Sequence, residues 1–188
     1  MSAAFPKNSQ APMQGSVQTP EFAFWASDTL NSAHCSVATL CHSDTALKNG
    51  IDNQPDEPVR DNLLRLAETL TAVCILVGSP LQITSGFRCE SLNRAVGGVE
   101  GSQHSTGQAA DFKCPPFGSA LELAHAIAAS SITFDQLILE YGRWVHLSVA
   151  AAGEMPRREV LHINNAAEGY LHGLPPRTKA DKSQRQVT

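Results

Sequence analysis

The segment Ser102-Gln-His-Ser-Thr-Gly-Gln-Ala-Ala-Asp111 contains two side chains of types that bind metals, His104 and Asp111. A second segment, Trp144-Val-His146, supplies another imidazole from much later in the chain. Two imidazoles and one carboxylate from separate segments are typical of a catalytic zinc site, in which the fourth tetrahedral position is left for water. The pattern therefore predicts that His104, Asp111 and His146 bind Zn²⁺, and that the fold brings the two segments together.

The patterns around these segments predict strands and helices. Ala109 to Lys113 is typical of a strand, and Phe134 to Glu140 and Trp144 to Val149 are typical of the two strands of a hairpin. A helix is predicted after Pro58, where apolar residues recur at steps of three and four, and a second helix is predicted over Ser119 to Ala129. Helices that come first and strands that cluster late predict an α+β fold. We expect a single domain with a small antiparallel sheet flanked by helices.

Alternation along the last predicted strand assigns its side chains to two faces. If His146 points to the metal, then Trp144 and Ser148 point the same way, whereas Val145 and Leu147 turn to the core. Trp144 is therefore predicted to form a wall of the substrate cleft. The alternative is a core tryptophan that only supports the strand.

A zinc hydrolase needs a base that takes a proton from the attacking water and passes it to the leaving amine. Two acids precede the third predicted ligand in the chain, Asp135 and Glu140. Glu140 ends the strand just before the hairpin that returns to His146, whereas Asp135 lies at the far end of that strand. Glu140 is therefore the predicted base, and the alternative is a solvated carboxylate at a strand end.

The ordered set of motifs resembles a known family. His-x-x-Gly-x-Ala-x-Asp, an aromatic-x-His strand and the upstream element Thr84-Ser-Gly-Phe-Arg88 are together similar to the zinc D-Ala-D-Ala peptidase family, the M15-type peptidoglycan peptidases. The stretch Leu92 to Gly98 resembles the loop before the metal motif in the phage and prophage endolysin-like branch. The likeness runs from about Asn53 to Ser148. It implies a hedgehog/DD-peptidase-like fold and a zinc peptidase that hydrolyses amide bonds of bacterial peptidoglycan stem peptides.

The resemblance also implies roles for individual residues. Many members place their acid three residues before the final histidine, where this chain has Arg143, whereas Glu140 matches the position used in the hedgehog-like and phage-type branch. Arg88 is expected to bind the terminal D-Ala carboxylate or the developing oxyanion, because a guanidinium group suits both. The alternative for Arg88 is a structural salt bridge. Ser102 is a candidate substrate contact, and a hydroxyl that stabilises the turn is the alternative.

The composition fits one globular domain. The chain has 188 residues, of which 42% are apolar and 17% charged, and its net charge is −4. This length allows one core, and the charge argues against binding to nucleic acid. No apolar run reaches the length of a membrane span, so we expect no membrane partner, and we expect a monomer. Five cysteines without CxxC spacing predict reduced thiols rather than a disulfide framework.

The two ends of the chain differ in composition from its middle. Residues 1–20 are rich in Ser, Gln, Pro, Ala and Gly and predict a mobile N-terminal arm. The zinc peptidase domain is predicted over 21–164, with an edge strand at 160–163, and a loose C-terminal tail over 165–188. The start lacks the basic and then apolar regions of a secretory signal. The expectation is a protein made in the cytoplasm that acts on the cell wall when it is released or carried by a phage.

Two other functions stay open at this point. One is a non-catalytic, zinc-containing binding or structural module of the same fold, as in the hedgehog domains. The other is a zinc amidohydrolase that acts on a peptide outside the cell wall. Within the leading hypothesis, a D-Ala-D-Ala carboxypeptidase, a cross-link endopeptidase and an L-Ala-D-Glu endopeptidase are equally compatible with the motifs, because loops select the substrate.

Overall fold

The structure is a computed structural model, and it describes residues 35–177. The predicted N-terminal arm and the first part of the predicted domain, up to residue 34, lie outside the described residues, as do residues 178–188. Within 35–177 the helices are α1 Val37–Cys41, α2 Asp44–Asn49, α3 Glu57–Val77, α4 Glu90–Ala95 and α5 Ala120–Ala129. None of them combines the length and the apolar character that crossing a bilayer requires.

The longest helix, α3, begins and ends where its sequence predicts. The Asp56 side chain accepts a hydrogen bond from the backbone N–H of Val59, and Pro58 lies in the first turn, where its missing N–H costs nothing. Gly78 ends the helix in the left-handed conformation, with φ 65°. One stripe of α3 is buried and consists of Leu63, Leu66, Leu70, Val73 and Cys74. The predicted amphipathic helix after Pro58 is confirmed.

The strands of the described part are β1 Gln82–Ser85, β2 Ala109–Lys113, β3 Gln136–Glu140, β4 Trp144–Ser148, β5 Glu159–Ile163 and β6 Leu171–His172. Within residues 35–177 they form one sheet in the order β1-β2-β4-β3-β5-β6. All neighbours are antiparallel except β3 and β5, which are parallel. The predicted α+β single domain is confirmed, and its sheet is mixed rather than wholly antiparallel.

The two faces of the sheet have different surroundings. On one face, side chains of β2, β3 and β4 join the core formed with α3 and α5, namely Ala110, Phe112, Leu137, Leu139, Val145 and Leu147. The predicted core placement of Val145 and Leu147 is thereby confirmed. The side chains at the alternate positions of these strands point to the opposite face of the sheet, away from α3 and α5. On that face Asp111 and Ile138 each pair with His146, from the two sides of β4.

The chain after β4 differs from the sequence-based expectation. The sequence predicts an edge strand at 160–163 and a loose tail from 165, but β5 lies inside the sheet between β3 and β6. β6 hydrogen-bonds to β5, so the outer edge of β5 is not left unpaired. Further along, the carbonyl oxygen of Pro175 accepts a hydrogen bond from Nε2 of His125, at 2.9 Å, and Leu174 packs on the core. The ordered part of the domain therefore extends well past residue 164.

The five cysteines of the sequence lie within the described residues, and they are free thiols. Cys35, Cys74 and Cys114 are buried. The sulfur atoms of Cys35 and Cys74 are 3.6 Å apart in the core. In the structure, these thiols act as small apolar core residues.

Candidate metal centre

The strand pairing places the three predicted ligands side by side. Asp111 on β2 pairs directly with His146 on β4, and directly opposed residues of an antiparallel pair project from the same face. His104 lies in the turn that leads into β2. Gly107, with φ 70°, allows this turn to reverse tightly between the first two ligands, because only glycine adopts such a φ without strain.

The three donor atoms form a small triangle. Nδ1 of His146 is 2.9 Å from Oδ1 of Asp111, Nε2 of His104 is 3.4 Å from the same oxygen, and the two nitrogen atoms are 3.3 Å apart. For metal–donor distances of about 2.0–2.1 Å, the edge of a coordination tetrahedron is about 3.3 Å. The side chains are therefore already spaced like three corners of a zinc site, and within the described residues this group could hold a metal ion.

A backbone carbonyl fixes the tautomer of His104. Nδ1 of His104 lies 2.8 Å from the carbonyl oxygen of Gly86, and a carbonyl can only accept, so Nδ1 carries the hydrogen. In the neutral ring, Nε2 then presents a lone pair to the triangle. Only Nδ1 of His146 can supply a proton there, and two acceptors, Nε2 of His104 and Oδ1 of Asp111, would share it. A cation in place of that proton satisfies all three atoms, and the Gly86 contact is the kind that orients a metal-bound histidine.

The protonation states of the triangle also favour a cation. Burial lowers the pKa of His104 below its ordinary value, although the neighbouring Asp111 carboxylate acts against this effect. Burial by itself would raise the pKa of Asp111, but the imidazoles of His104 and His146 outweigh it, and the pKa lies well below its usual range. A neutral imidazole and an ionised carboxylate are the forms in which these groups bind metals.

The triangle opens into a cleft of about 570 Å³. Four other residues predicted for the site line it together with the three predicted ligands, namely Arg88, Ser102, Glu140 and Trp144. Glu140 and Trp144 are cross-strand partners at the end of the β3–β4 hairpin. They lie two residues along their strands from the pair formed by Ile138 and His146, and so on the same face of the sheet. The sheet register thus explains why these side chains share the face that carries the ligands.

The two candidate acids have different environments. Burial and repulsion from Asp111 raise the pKa of Glu140, while His146 and Arg88 act in the opposite direction. Asp135 is not among the residues that line the cleft. Its carboxylate accepts hydrogen bonds from the Arg157 guanidinium, which lowers the pKa of Asp135. Asp135 therefore has a structural partner, whereas Glu140 faces the cleft.

Two buried nitrogen atoms in the cleft residues have no hydrogen-bond partner within the described part of the chain, Nε of Arg88 and Nε1 of Trp144. Burial lowers the pKa of Arg88, and the Asp111 and Glu140 carboxylates oppose this effect. Buried donors without partners are rare in native proteins unless a ligand or water completes them. Both side chains are therefore suited to an acceptor-rich ligand in the cleft.

Ser102 belongs to the turn that carries His104. Its hydroxyl oxygen accepts a hydrogen bond from the backbone N–H of His104 at 3.4 Å, and its carbonyl oxygen accepts one from the N–H of Ser105 at 2.9 Å. Ser102 also lines the cleft. The turn contact predicted as an alternative is present, and it leaves the hydroxyl at the cleft wall.

The sequence reasoning did not find several residues that line the cleft. They are Val99, Gly101, Gln103, Gln136, Ile138, Arg157, Leu161 and Tyr170. The alternation that selects Glu140 also places Gln136 and Ile138 on the same face, so these two could have been found. Leu161 follows from the parallel pairing of β5 with β3, in which it is the partner of Ile138. Tyr170 lies in a segment without periodic signal, and no sequence pattern marked it.

Comparison with known proteins agrees with this geometry. The sequence model of the family described as Peptidase M15 matches residues 33–148, more than half of the chain. The chain belongs to the peptidase M15 family. The resemblance to M15-type peptidases is confirmed, and no curated protein matches the chain. All seven predicted site residues lie within the part that matches the M15 family, whereas Arg157, Leu161 and Tyr170 lie after it.

Proposed function

We propose that this M15 peptidase is a zinc-dependent enzyme that hydrolyses amide bonds in bacterial peptidoglycan stem peptides, as a D-Ala-D-Ala carboxypeptidase or an endopeptidase. The observation that carries the proposal is the triangle of donor atoms from His104, Asp111 and His146. It lies in a cleft that also contains a carboxylate, Glu140, and a guanidinium, Arg88. Membership of a peptidase family supports amide hydrolysis as the reaction class.

The donor set fits zinc. Two imidazole nitrogens and one carboxylate oxygen would hold the ion and leave one tetrahedral position open, as catalytic zinc sites do. Bound zinc would supply Lewis acidity that polarises a carbonyl oxygen and lowers the pKa of a water molecule to about 7. The Gly86 carbonyl would keep the ring of His104 oriented, because it holds the hydrogen on Nδ1.

Glu140 is proposed as the general base. Its carboxylate would accept a proton from the attacking water and then donate it to the nitrogen of the leaving amine. Burial and the Asp111 carboxylate raise the pKa of Glu140. A raised pKa makes a carboxylate a stronger base and a better proton donor near neutral pH, which suits both steps.

Arg88 and Trp144 are proposed to bind the substrate. The Arg88 guanidinium would form a charge-assisted pair with the terminal carboxylate of a stem peptide or with the oxygen that gains charge in the reaction. The indole of Trp144 would form a wall of the cleft and donate its N–H to a peptide carbonyl. Ser102 would contribute a hydroxyl at the same wall. The unpartnered Nε of Arg88 and Nε1 of Trp144 support these roles.

The proposed biological setting is that of an endolysin that reaches the cell wall on release or on a phage particle. It is supported by the likeness of Leu92–Gly98 to the phage-type branch. A monomer that binds stem peptides, and neither nucleic acid nor membranes, is the proposed working form.

The test is digestion of purified sacculi by the zinc-loaded chain, with the products identified by mass spectrometry. Glu140→Gln should keep stoichiometric zinc and lose about 10²- to 10⁴-fold in rate, the usual contribution of general acid–base catalysis. Glu90→Gln is the matched control, because Glu90 lies on α4 with its side chain 84% exposed. That variant should digest sacculi at the rate of the unsubstituted chain.

The products decide between the bonds. Loss of a terminal D-Ala indicates a carboxypeptidase, release of monomers from cross-linked dimers indicates a cross-link endopeptidase, and peptides freed from the glycan indicate cleavage between L-Ala and D-Glu. If mass spectrometry finds no cleaved stem-peptide bond after incubation with the zinc-loaded chain, that result contradicts the proposal and favours a binding module of the same fold. An active Glu140→Gln enzyme removes Glu140 from the role of base.

A further inference from the structure

The segment after the M15 match supplies one end of the cleft, where Tyr170 lies. Tyr170 is exposed, with 57% of its surface accessible. We propose that Tyr170 is a substrate-binding residue whose phenolic hydroxyl donates a hydrogen bond to the peptide in the cleft. The inference rests on the proposed function, because it takes the stem peptide as the ligand. It adds a substrate contact from outside the family match.

The sheet explains how Tyr170 reaches the site. β6 begins at Leu171, the residue after Tyr170, and Leu171 pairs with His162 on β5. On its other side, β5 pairs with β3, and Ile163 is the partner of Glu140. The backbone N–H of Tyr141 also donates to the carbonyl oxygen of Ile163, at 2.8 Å. Tyr170 thus lies at the end of the sheet where β3 ends in Glu140.

Tyr170 and Arg88 enter the cleft from opposite edges of the sheet. Arg88 follows β1, the first strand in the sheet order, and Tyr170 precedes β6, the last. The ligand triangle of His104, Asp111 and His146 is carried between them, on β2, β4 and the turn before β2. A peptide that contacts Arg88 and passes the triangle therefore continues towards Tyr170. A stem peptide has the length and the backbone carbonyl groups for contacts at both edges.

The Tyr170 hydroxyl is protonated at neutral pH, as that of an ordinary tyrosine is, and its surroundings do not change this. Burial raises the pKa of Tyr170, and the charges of Glu140, Tyr141 and Asp111 raise it further. A phenol that keeps its proton is a hydrogen-bond donor. Within residues 35–177 no other side chain accepts a hydrogen bond from it, so the hydroxyl is available to a ligand in the cleft.

The experiment compares Tyr170→Phe with the unsubstituted zinc-loaded enzyme on a muropeptide that bears a stem pentapeptide. One neutral hydrogen bond contributes about 0.5–1.5 kcal/mol, which corresponds to a loss of about 2- to 10-fold in kcat/KM. A contact made equally in the bound and transition states raises KM and leaves kcat unchanged. Tyr141→Phe is the matched control, because these are the two tyrosines of the chain and Tyr141 does not line the cleft.

The outcomes separate this inference from the proposed function. A raised KM for Tyr170→Phe, with kcat, zinc content and thermal stability unchanged and Tyr141→Phe unaffected, supports the inference. Unchanged kinetics overturn it, and so does a lower kcat at unchanged KM, because a ground-state contact is then absent. If the unsubstituted chain does not cleave the muropeptide, the proposed function fails first, and this inference fails with it.

Discussion

Replacement of Asp111 by asparagine tests the candidate metal centre at the predicted ligand that both histidines contact. The Oδ1 atom of Asp111 is 2.9 Å from Nδ1 of His146 and 3.4 Å from Nε2 of His104. The substitution keeps the shape of the side chain and removes its charge. Because the donors are already spaced like the corners of a tetrahedron, zinc binding requires little rearrangement, and its free energy should appear as added stability of the folded chain.

The expected stabilisation by zinc follows from mass action. At a zinc concentration 100 times its Kd, binding stabilises the folded state by about 2.7 kcal/mol. For a chain of this size, 1 kcal/mol corresponds to about 2–4 °C in Tm, so zinc should raise Tm by about 5–10 °C. Substitution of a residue that only orients a metal-binding side chain lowers metal affinity by about 10- to 100-fold. We therefore expect Asp111→Asn to lose at least about 100-fold, which leaves about 0.4 kcal/mol and a shift of about 1–2 °C.

The assay is thermal unfolding of chelator-treated protein with and without added zinc, together with the zinc content of the dialysed protein by elemental analysis. Asp135→Asn is the matched control. Asp135 is a buried carboxylate, but it is paired with Arg157 and does not line the cleft. That variant should have a lower Tm in both conditions and the full zinc-dependent increase. If Asp111→Asn binds zinc stoichiometrically and gains the same increase as the unsubstituted chain, the triangle is not the metal site.

Three further predictions concern stability. Burial and the Asp111 carboxylate raise the pKa of Glu140 in the folded, metal-free chain. The stability that Glu140 contributes is therefore complete below the ordinary pKa of glutamate and is lost as pH rises through the raised pKa of the folded chain. Glu140→Gln should therefore have a higher Tm than the unsubstituted chain in chelator at pH 7.5 and lose this advantage near pH 4; a constant difference would contradict the reasoning. Gly107→Ala should cost about 2 kcal/mol or more in denaturant unfolding, because φ is 70° and a Cβ would lie 2.8 Å from a carbonyl oxygen of α3. Gly50→Ala, with φ 62° and open space around it, controls for the strain alone, and equal losses in the two variants would exclude the contact. Ser119→Ala removes the N-cap of α5 and should lower the free energy of unfolding by about 1 kcal/mol, measured in urea, without a change in zinc content.

The sequence predicted those parts of the fold that depend on local rules. The α3 stripe of Leu63, Leu66, Leu70 and Val73 follows from helical periodicity, and all four side chains are fully buried. The hairpin strands follow from alternation, which also assigned His146 to one face and the residues on either side of it to the other. Each of these patterns involves residues that are close together in the chain, so it can be recognised from the sequence alone.

Pairing between distant segments was less predictable. β5 is parallel to β3, and this pairing requires the chain to cross over from β4 before it returns beside β3. β6 has only two residues, Leu171 and His172, which are too few for any periodicity. Its place in the sheet follows from the unpaired edge of β5 rather than from its own sequence. For that reason the sequence-based boundary at residue 164 lies before β6, and no sequence pattern indicates Tyr170.

The metal centre shows the same division at atomic scale. Residue types and spacing predicted His104, Asp111 and His146, but not which ring nitrogen of each histidine faces the others. For His104 that choice depends on the carbonyl oxygen of Gly86, which keeps the hydrogen on Nδ1 and turns the Nε2 lone pair towards an ionised carboxylate. In the metal-free chain, one proton on His146 must serve both acceptors, so burial of this group costs stability that a hydrophobic packing would not. Selection for stability alone would not favour such a cluster. A divalent cation would instead form a bond with each of the three donor atoms.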